Sequence, residues 1–325
     1  MGLSELCSEE RARKKAKKEH PSKKSDLDEA LSVRTACLDV NVITNYENRA
    51  IRGDCLKLMR RLPSEILDCT ITSPPYNKGG DVIVYNSISD NMPWDVYMAE
   101  QLAILNELYR ITKPGGHLWY VHQVQPRPAR LFHPMEWIIK SPWTVRQEIM
   151  WKKWGCQDRS LYRFKCFEER IYWLRKEPGP PFELKREVAK WGNLWVRPDQ
   201  SVHLQRRYRH PSTFPLYLPL AILYAMNLPP GSLVFDPYGG TGTTAKAAQV
   251  SNHWYLTMDV DKDYITMTKD RLRDTVYEDE WWITVMMKQI NDGTLNLSQD
   301  IRKSVQKRVL SSTYLADDAQ SGDHR

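Results

Sequence analysis

The sequence predicts an α/β fold in which a mostly parallel sheet is covered on both faces by helices. Strand-like and helix-like segments alternate from about residue 43 to 275, the order that builds parallel sheets from crossover units. One apolar strand runs straight into a glycine-rich turn and then a helix, in GSLVFDPYGGTGTTAKAA. The 325 residues are 41% hydrophobic, enough to fill the core that such a fold needs.

Residues 1–42 read as a basic, disordered tail with a short helix around Ser25–Leu38. The folded body follows. AIRGD is a short strand, CLKLMRRL a helix with one apolar face, LDCTIT a buried strand and YMAEQLAILNELYRIT a long amphipathic helix. Lys113-Pro114-Gly115-Gly116 ends that helix, and GHLWYVH is the next strand. WTVRQEIMWKK and ERIYWLRK are strand-like, with a proline-rich loop at 178–181 behind them. Residues 214–228 form an apolar helix, LVFD a strand, TTAKAAQV a helix and WYLTMDV a strand. Residues 276–325 read as a polar, helical C-terminal extension, so that 43–275 is the main domain.

Net charge is +7, and two segments carry the excess. Residues 11–24 hold eight bases and one acid, and residues 146–209 hold sixteen bases and eight acids. A polyanion is the natural partner of such clusters, because Lys and Arg displace the counterions condensed on phosphates. The first segment is read as a solvated arm, a docking arm or a nuclear address. In the second, bases alternate with Trp151, Trp154, Tyr162, Phe164, Phe167 and other aromatics, a pattern suited to unstacked nucleotides. Six scattered cysteines without a C-x-x-C pair are expected to be reduced thiols, and no metal site is expected. No apolar run is long enough to span a bilayer. An intracellular protein is expected, in cytoplasm or nucleoid, or in the nucleus of a eukaryote, with no membrane partner.

Two turns carry the chemistry. In the first, Asp236 ends an apolar strand, Gly239, Gly240 and Gly242 form the turn, and a helix opens at Thr243. Glycine lets the backbone approach a ligand there, and the helix start offers N–H groups. A second strand ends at Asp259, where an acid reaches the ribose of an adenosine-containing ligand. The turn lacks the Gly-Lys-Ser/Thr of a P-loop and the Gly-x-Gly-x-x-Gly of nicotinamide enzymes. In the second turn, a buried strand runs into Ser73-Pro74-Pro75-Tyr76-Asn77. Its prolines stiffen the backbone so that carbonyls face outward as acceptors. Ser73 adds a hydroxyl and Tyr76 is expected to expose its ring. Together they can clamp a planar heterocycle bearing an exocyclic amine; a plain proline cap on the strand is the alternative.

The pairing of TSPPYN with DPYGGTGTT resembles the amino methyltransferases that act on DNA, and its order resembles the β-group permutation of that family, catalytic turn before cofactor turn. The resemblance covers about 48–275 and continues in LYRITKPGGHLWYVH, EERIYWLRK, NLWVRP and HPSTFPLYLPLAILY. It implies a Rossmann-like class I methyltransferase fold and methyl transfer from S-adenosylmethionine to a flipped-out base. The catalytic residues it implies are Ser73, Pro74, Pro75 and Tyr76. For the cofactor it implies Asp54 and Cys55; His210, Pro211 and Phe214; Asp236, Pro237 and Tyr238; Gly240, Thr241, Gly242 and Thr243; and Asp259. Asn77, Lys78, Lys152, Lys153, Arg159, Arg163, Lys165, Arg206 and Arg207 are the expected nucleic-acid contacts. DNA is the expected partner, with a homodimer as a candidate assembly.

Three departures from the family pattern are visible. Glu168 stands where a histidine usually precedes Glu169, Tyr238 replaces a phenylalanine, and the region before HPSTFP is short, which bears on base-sequence recognition. Serine at position 73, where adenine-directed relatives mostly carry Asp or Asn, resembles the cytosine-N4 subclass. Adenine N6 in DNA, methylation of RNA, and a catalytically silent binding protein of the same fold are the alternatives.

Overall fold

Strand β2 (Leu67–Thr72) is buried from end to end apart from a half-buried Asp68, so it belongs in the interior of a sheet covered on both faces. A computed structural model describes residues 45–79, 85, 88–128, 130–152, 163–189, 192–196 and 210–273. The expected N-terminal tail and its helix, the whole C-terminal extension, and Lys153, Arg159, Arg206 and Arg207 lie outside the described residues.

Beside β2 run β1 (Arg49–Arg52), β3 (Thr112–His122), β6 (Thr144–Lys152), β7 (Glu168–Arg175), β8 (Leu194–Val196), β9 (Leu233–Asp236) and β10 (Trp254–Asp259). They form one eight-stranded sheet in the order β1-β10-β9-β2-β3-β7-β6-β8. The pairs from β1 across to β3 are parallel, and β7 is antiparallel to both of its neighbours. Two short strands, β4 (Gln125–Pro126) and β5 (Leu131–Phe132), pair as a separate hairpin.

Helices cover both faces. On one, α5 (Tyr217–Met226) and α6 (Thr243–Val250) close over Cys69, Ile71, Trp119, Val121, Ile171 and Val234. On the other, α1 (Cys55–Met59), α2 (Trp94–Ile111) and α3 (Met135–Ile138) close over Leu67, Leu118, Tyr120, Phe235 and Met258. Alternate residues of each strand serve opposite faces, as the period of two requires. A single turn, α4 (Arg186–Ala189), precedes β8. The last described helix, α7 (Lys262–Arg273), packs on α6 and β1.

Three boundaries differ from the sequence reading. Helix α2 begins at Trp94, behind Pro93 at its N-cap, a full turn earlier than the apolar periodicity indicated. Lys113-Pro114-Gly115-Gly116 does follow the helix end but lies inside β3, where the register jumps from Leu67↔Thr112 to Cys69↔His117 and the extra residues form a bulge. Helix α5 spans only Tyr217–Met226, because Asn227 turns left-handed at φ 47° and stops it.

Candidate active site

Strands β9 and β2 are sheet neighbours whose following segments leave in opposite directions along the sheet, toward β10 and toward β3. Ligands of open α/β sheets bind in the crevice outside the strand carboxyl ends at such a reversal. Both sequence-derived turns open there, Ser73 after β2 and Pro237 after β9. They flank one cleft of about 1120 Å³.

The turns are braced against each other from below. Thr72 Oγ1 donates to Asp236 Oδ1 at 2.8 Å, and the same oxygen accepts from the Tyr238 N–H at 3.0 Å. Asp236 is therefore not a cleft wall but the post on which the turn sits. Burial pushes its carboxyl up to about 7. The glycine-rich turn lies tight against β10: a Cβ at Gly239 would fall 1.8 Å from Thr257 Oγ1. Gly240 is left-handed, and a Cβ there would stand 3.0 Å from His210 Nε2. Gly240 N–H donates to Asp259 Oδ2 at 2.9 Å, and Asp261 N–H to Asp259 Oδ1 at 2.8 Å. Asp259 thus ties turn to strand while facing the cleft, and burial raises its carboxyl above the usual range.

On this side the cleft is acidic. Asp54 caps α1 by accepting from Lys57 N–H at 2.9 Å, and Glu100 approaches from α2. Burial and then the nearby Asp54 charge raise the Glu100 carboxyl. Cys55, beside them, is an inert thiol, pushed up to about 12 by burial and the Asp54 charge. His210, Pro211 and Phe214 also line the cleft, and burial lowers His210 to about 4, leaving it neutral at pH 7.

On the other side stands the proline turn. Tyr76 is 8% exposed, contrary to the exposed ring expected from sequence. Its ring lies 4.6 Å from that of His122, and Lys78 Nζ stands 5.0 Å from its centroid. Its hydroxyl lies 2.7 Å from Ser73 Oγ and donates to Glu169 Oε2 at 3.1 Å. Glu169 reaches this spot because β7 runs antiparallel, so its first residues stand where β2 and β3 end. Tyr97 OH donates to the Pro75 carbonyl at 2.6 Å and lies 2.6 Å from His122 Nε2. Burial lowers His122 to about 3 and keeps its ring neutral at pH 7. Among the described residues nothing donates to the Pro74 carbonyl.

Asn77, expected at a nucleic acid, is turned inward instead. Its side-chain amide donates to the Met92 carbonyl at 2.9 Å and accepts the Met92 N–H at 2.7 Å. Asp90 accepts from the Asn77 and Lys78 N–H groups at 2.7 and 3.0 Å, so this segment braces the turn. Lys78 and Arg163 line the cleft, whereas Lys152, Lys165 and Gly242 do not. Glu100, Glu169, Tyr97, His122 and Asp90 were not assigned to the site from sequence; their roles depend on contacts distant along the chain, and of them Glu169 and His122 fall within the segments that carry the resemblance.

The chain is similar to known proteins in family and in fold. The model of a family described as DNA methylase, the N6/N4 group, matches residues 67–270. The type II methyltransferase M.ScaI of Streptomyces caespitosus is 26% identical over 250 residues, covering 68% of this chain and 79% of that protein. The DNA adenine methyltransferase YhdJ of Escherichia coli (strain K12) is 23% identical over 269 residues, covering 74% and 87%. The solved PvuII DNA methyltransferase, cytosine-N4-specific, shares the fold with a TM-score of 0.58 at 16% identity, covering 82% of this chain and 93% of that one. The family match runs from the first residue of β2 into α7 and takes in both turns of the cleft, and on that ground this chain belongs to the N6/N4 DNA methylase family.

Proposed function

We propose that this DNA methylase transfers the methyl group of S-adenosylmethionine to N4 of a cytosine turned out of DNA. When bound, S-adenosylmethionine supplies an electrophilic methyl group on a sulfonium. The donor set of the acidic half fits that ligand: Asp54, Glu100, Asp259 and Asp261 line it, and carboxylates accept from ribose hydroxyls, an adenine amine and an ammonium while offsetting positive charge. The flattened Gly239-Gly240 turn leaves room for it, with Asp236 fixing the turn from beneath.

The observation that supports an exocyclic amine as the methyl acceptor is the chain of hydroxyls ending at Glu169. Tyr76 has one hydroxyl proton, held on the carboxylate of Glu169. Burial and the Glu169 charge keep that phenol protonated. Ser73 must then give its own proton to the Tyr76 oxygen, which leaves the lone pairs of Ser73 Oγ for an outside donor. An exocyclic amine has two N–H groups to place, and the Ser73 oxygen and the Pro74 carbonyl are two acceptors on one rigid turn. Holding both N–H bonds draws the nitrogen lone pair out of conjugation and toward the methyl group. No base is needed before attack, since the nitrogen becomes acidic only once it is methylated and positively charged. The target must leave the helix stack to reach this slot, and Lys78 and Arg163 at the cleft suit the flanking phosphates.

Serine rather than Asp or Asn at position 73 favours cytosine. The second reading, adenine N6, draws on the family's breadth and on the adenine-specific name of the E. coli relative. Incubating the protein with labelled S-adenosylmethionine and unmethylated DNA or RNA, then identifying the modified nucleoside by mass spectrometry, decides among them. N4-methylcytosine in DNA is expected. N6-methyladenine would replace the base assignment, a modified RNA nucleoside would replace the substrate, and no modified nucleoside would leave only a binding protein.

A further inference from the structure

Phe164 is 97% exposed, more than any other large apolar side chain among the described residues. It stands between Arg163 and Lys165, both also exposed. Arg163, Cys166 and Phe167 line the cleft together with Ser73–Lys78, so the segment 163–167 forms part of its rim. Phe164 lies five residues before Glu169, the residue that holds the Tyr76 hydroxyl. An extended chain of that length reaches at most about 17 Å, comparable to a few stacked base pairs. Among the other exposed apolar residues, Val96, Leu131, Ile139, Leu194 and Trp254 are not at the cleft, and Ile88, Phe167 and Val260, which line it, are each no more than 40% exposed.

We infer that Phe164 is a wedge that enters the DNA stack beside the turned-out base, with Arg163 and Lys165 on the flanking phosphates. A planar ring replaces the stacking lost by the neighbouring bases and keeps the target from swinging back. Architectural proteins use exposed apolar side chains in this way to part base steps. The exposed ring lies between two cations, which suits a polyanion with apolar interior faces and disfavours an apolar protein surface. This rests on the DNA methylation reading above and adds to it the device that holds the duplex open.

The test compares the parent with Phe164→Ala and Phe164→Trp, using labelled S-adenosylmethionine and unmethylated genomic DNA, native and heat-denatured. Phe164→Ala is expected to slow labelling of native DNA about tenfold or more, the scale of one lost base–aromatic stack, while labelling denatured DNA as the parent does. Phe164→Trp is expected to match the parent on both. Where the parent labels only native DNA, loss in the alanine variant with retention in the tryptophan variant supports the wedge, and equal rates overturn it. Equal loss on both forms overturns it in favour of a simple strand contact. Unchanged labelling by Phe164→Ala together with a shift from dimer to monomer overturns it in favour of a second copy of this chain. Absence of labelling by the parent itself would instead remove the DNA methylation reading, and the wedge with it.

Discussion

Thr72 and Asp236 join the ends of two adjacent parallel strands through one 2.8 Å hydrogen bond, although they lie 164 residues apart in the chain. That bond fixes the spacing between the proline turn and the glycine-rich turn. Thr72→Val keeps the shape and removes the donor. It should destabilise the fold by about 1–3 kcal/mol, the range for leaving a buried polar group short of a partner, and weaken S-adenosylmethionine binding. Urea denaturation and calorimetric titration check the two effects; a variant that matches the parent in both would show that the turns hold their spacing without it.

Glu169 acts on the base through Tyr76 and Ser73. In Glu169→Leu the Tyr76 proton loses its acceptor and turns to Ser73, occupying the lone pair meant for the amine. Turnover should fall about tenfold to a hundredfold, as expected for one misdirected hydrogen bond, with cofactor affinity unchanged. Glu169→Gln retains an acceptor oxygen and should recover most of the activity. A glutamine variant as impaired as the leucine variant would mean that the charge, not the hydrogen bond, matters.

His122 provides a pH signature. Its ring is held to about 3 in the folded protein against an ordinary 6.5, because burial penalises the charged form. The unfolded chain therefore takes up a proton near 6.5 that the folded chain refuses until near 3. A depressed group of this kind contributes stability above 6.5 and loses it as pH falls through the window toward 3. The stability difference between the parent and His122→Gln should shrink across that window. Parallel pH curves for the two proteins would contradict a neutral, buried His122.

Much of the site was legible in the sequence because its chemistry is local. Two prolines after a buried strand, or three glycines before a helix, dictate a backbone shape within a few residues. The paired turns also carried the family resemblance. What escaped reading was fixed at long range. The Tyr76–Glu169 bond spans 93 residues and needs β7 to run antiparallel, which its apolar pattern does not encode. Asn77 looked like a ligand-facing polar residue, yet Met92 and Asp90 claim its side chain and backbone. Tyr76 looked exposed because nothing nearby in the sequence foretells the His122 ring beneath it. The bulge that places Lys113–Gly116 within β3 likewise depends on the register with β2.

The central claim is a division of labour between the two turns, cofactor on the Asp259 side and target base on the Tyr76 side. The most direct measurement pairs calorimetric titration of S-adenosylmethionine with methyl-transfer rates on unmethylated DNA for Asp259→Ala and Tyr76→Ala. Asp259→Ala should weaken cofactor binding by more than about 1 kcal/mol, the scale of a lost hydrogen bond to a charged group. Tyr76→Ala should bind the cofactor as the parent does while its turnover falls about tenfold to a hundredfold, as expected when the base loses its aromatic support. Cofactor affinity lost in Tyr76→Ala and kept in folded Asp259→Ala would contradict the assignment of both turns.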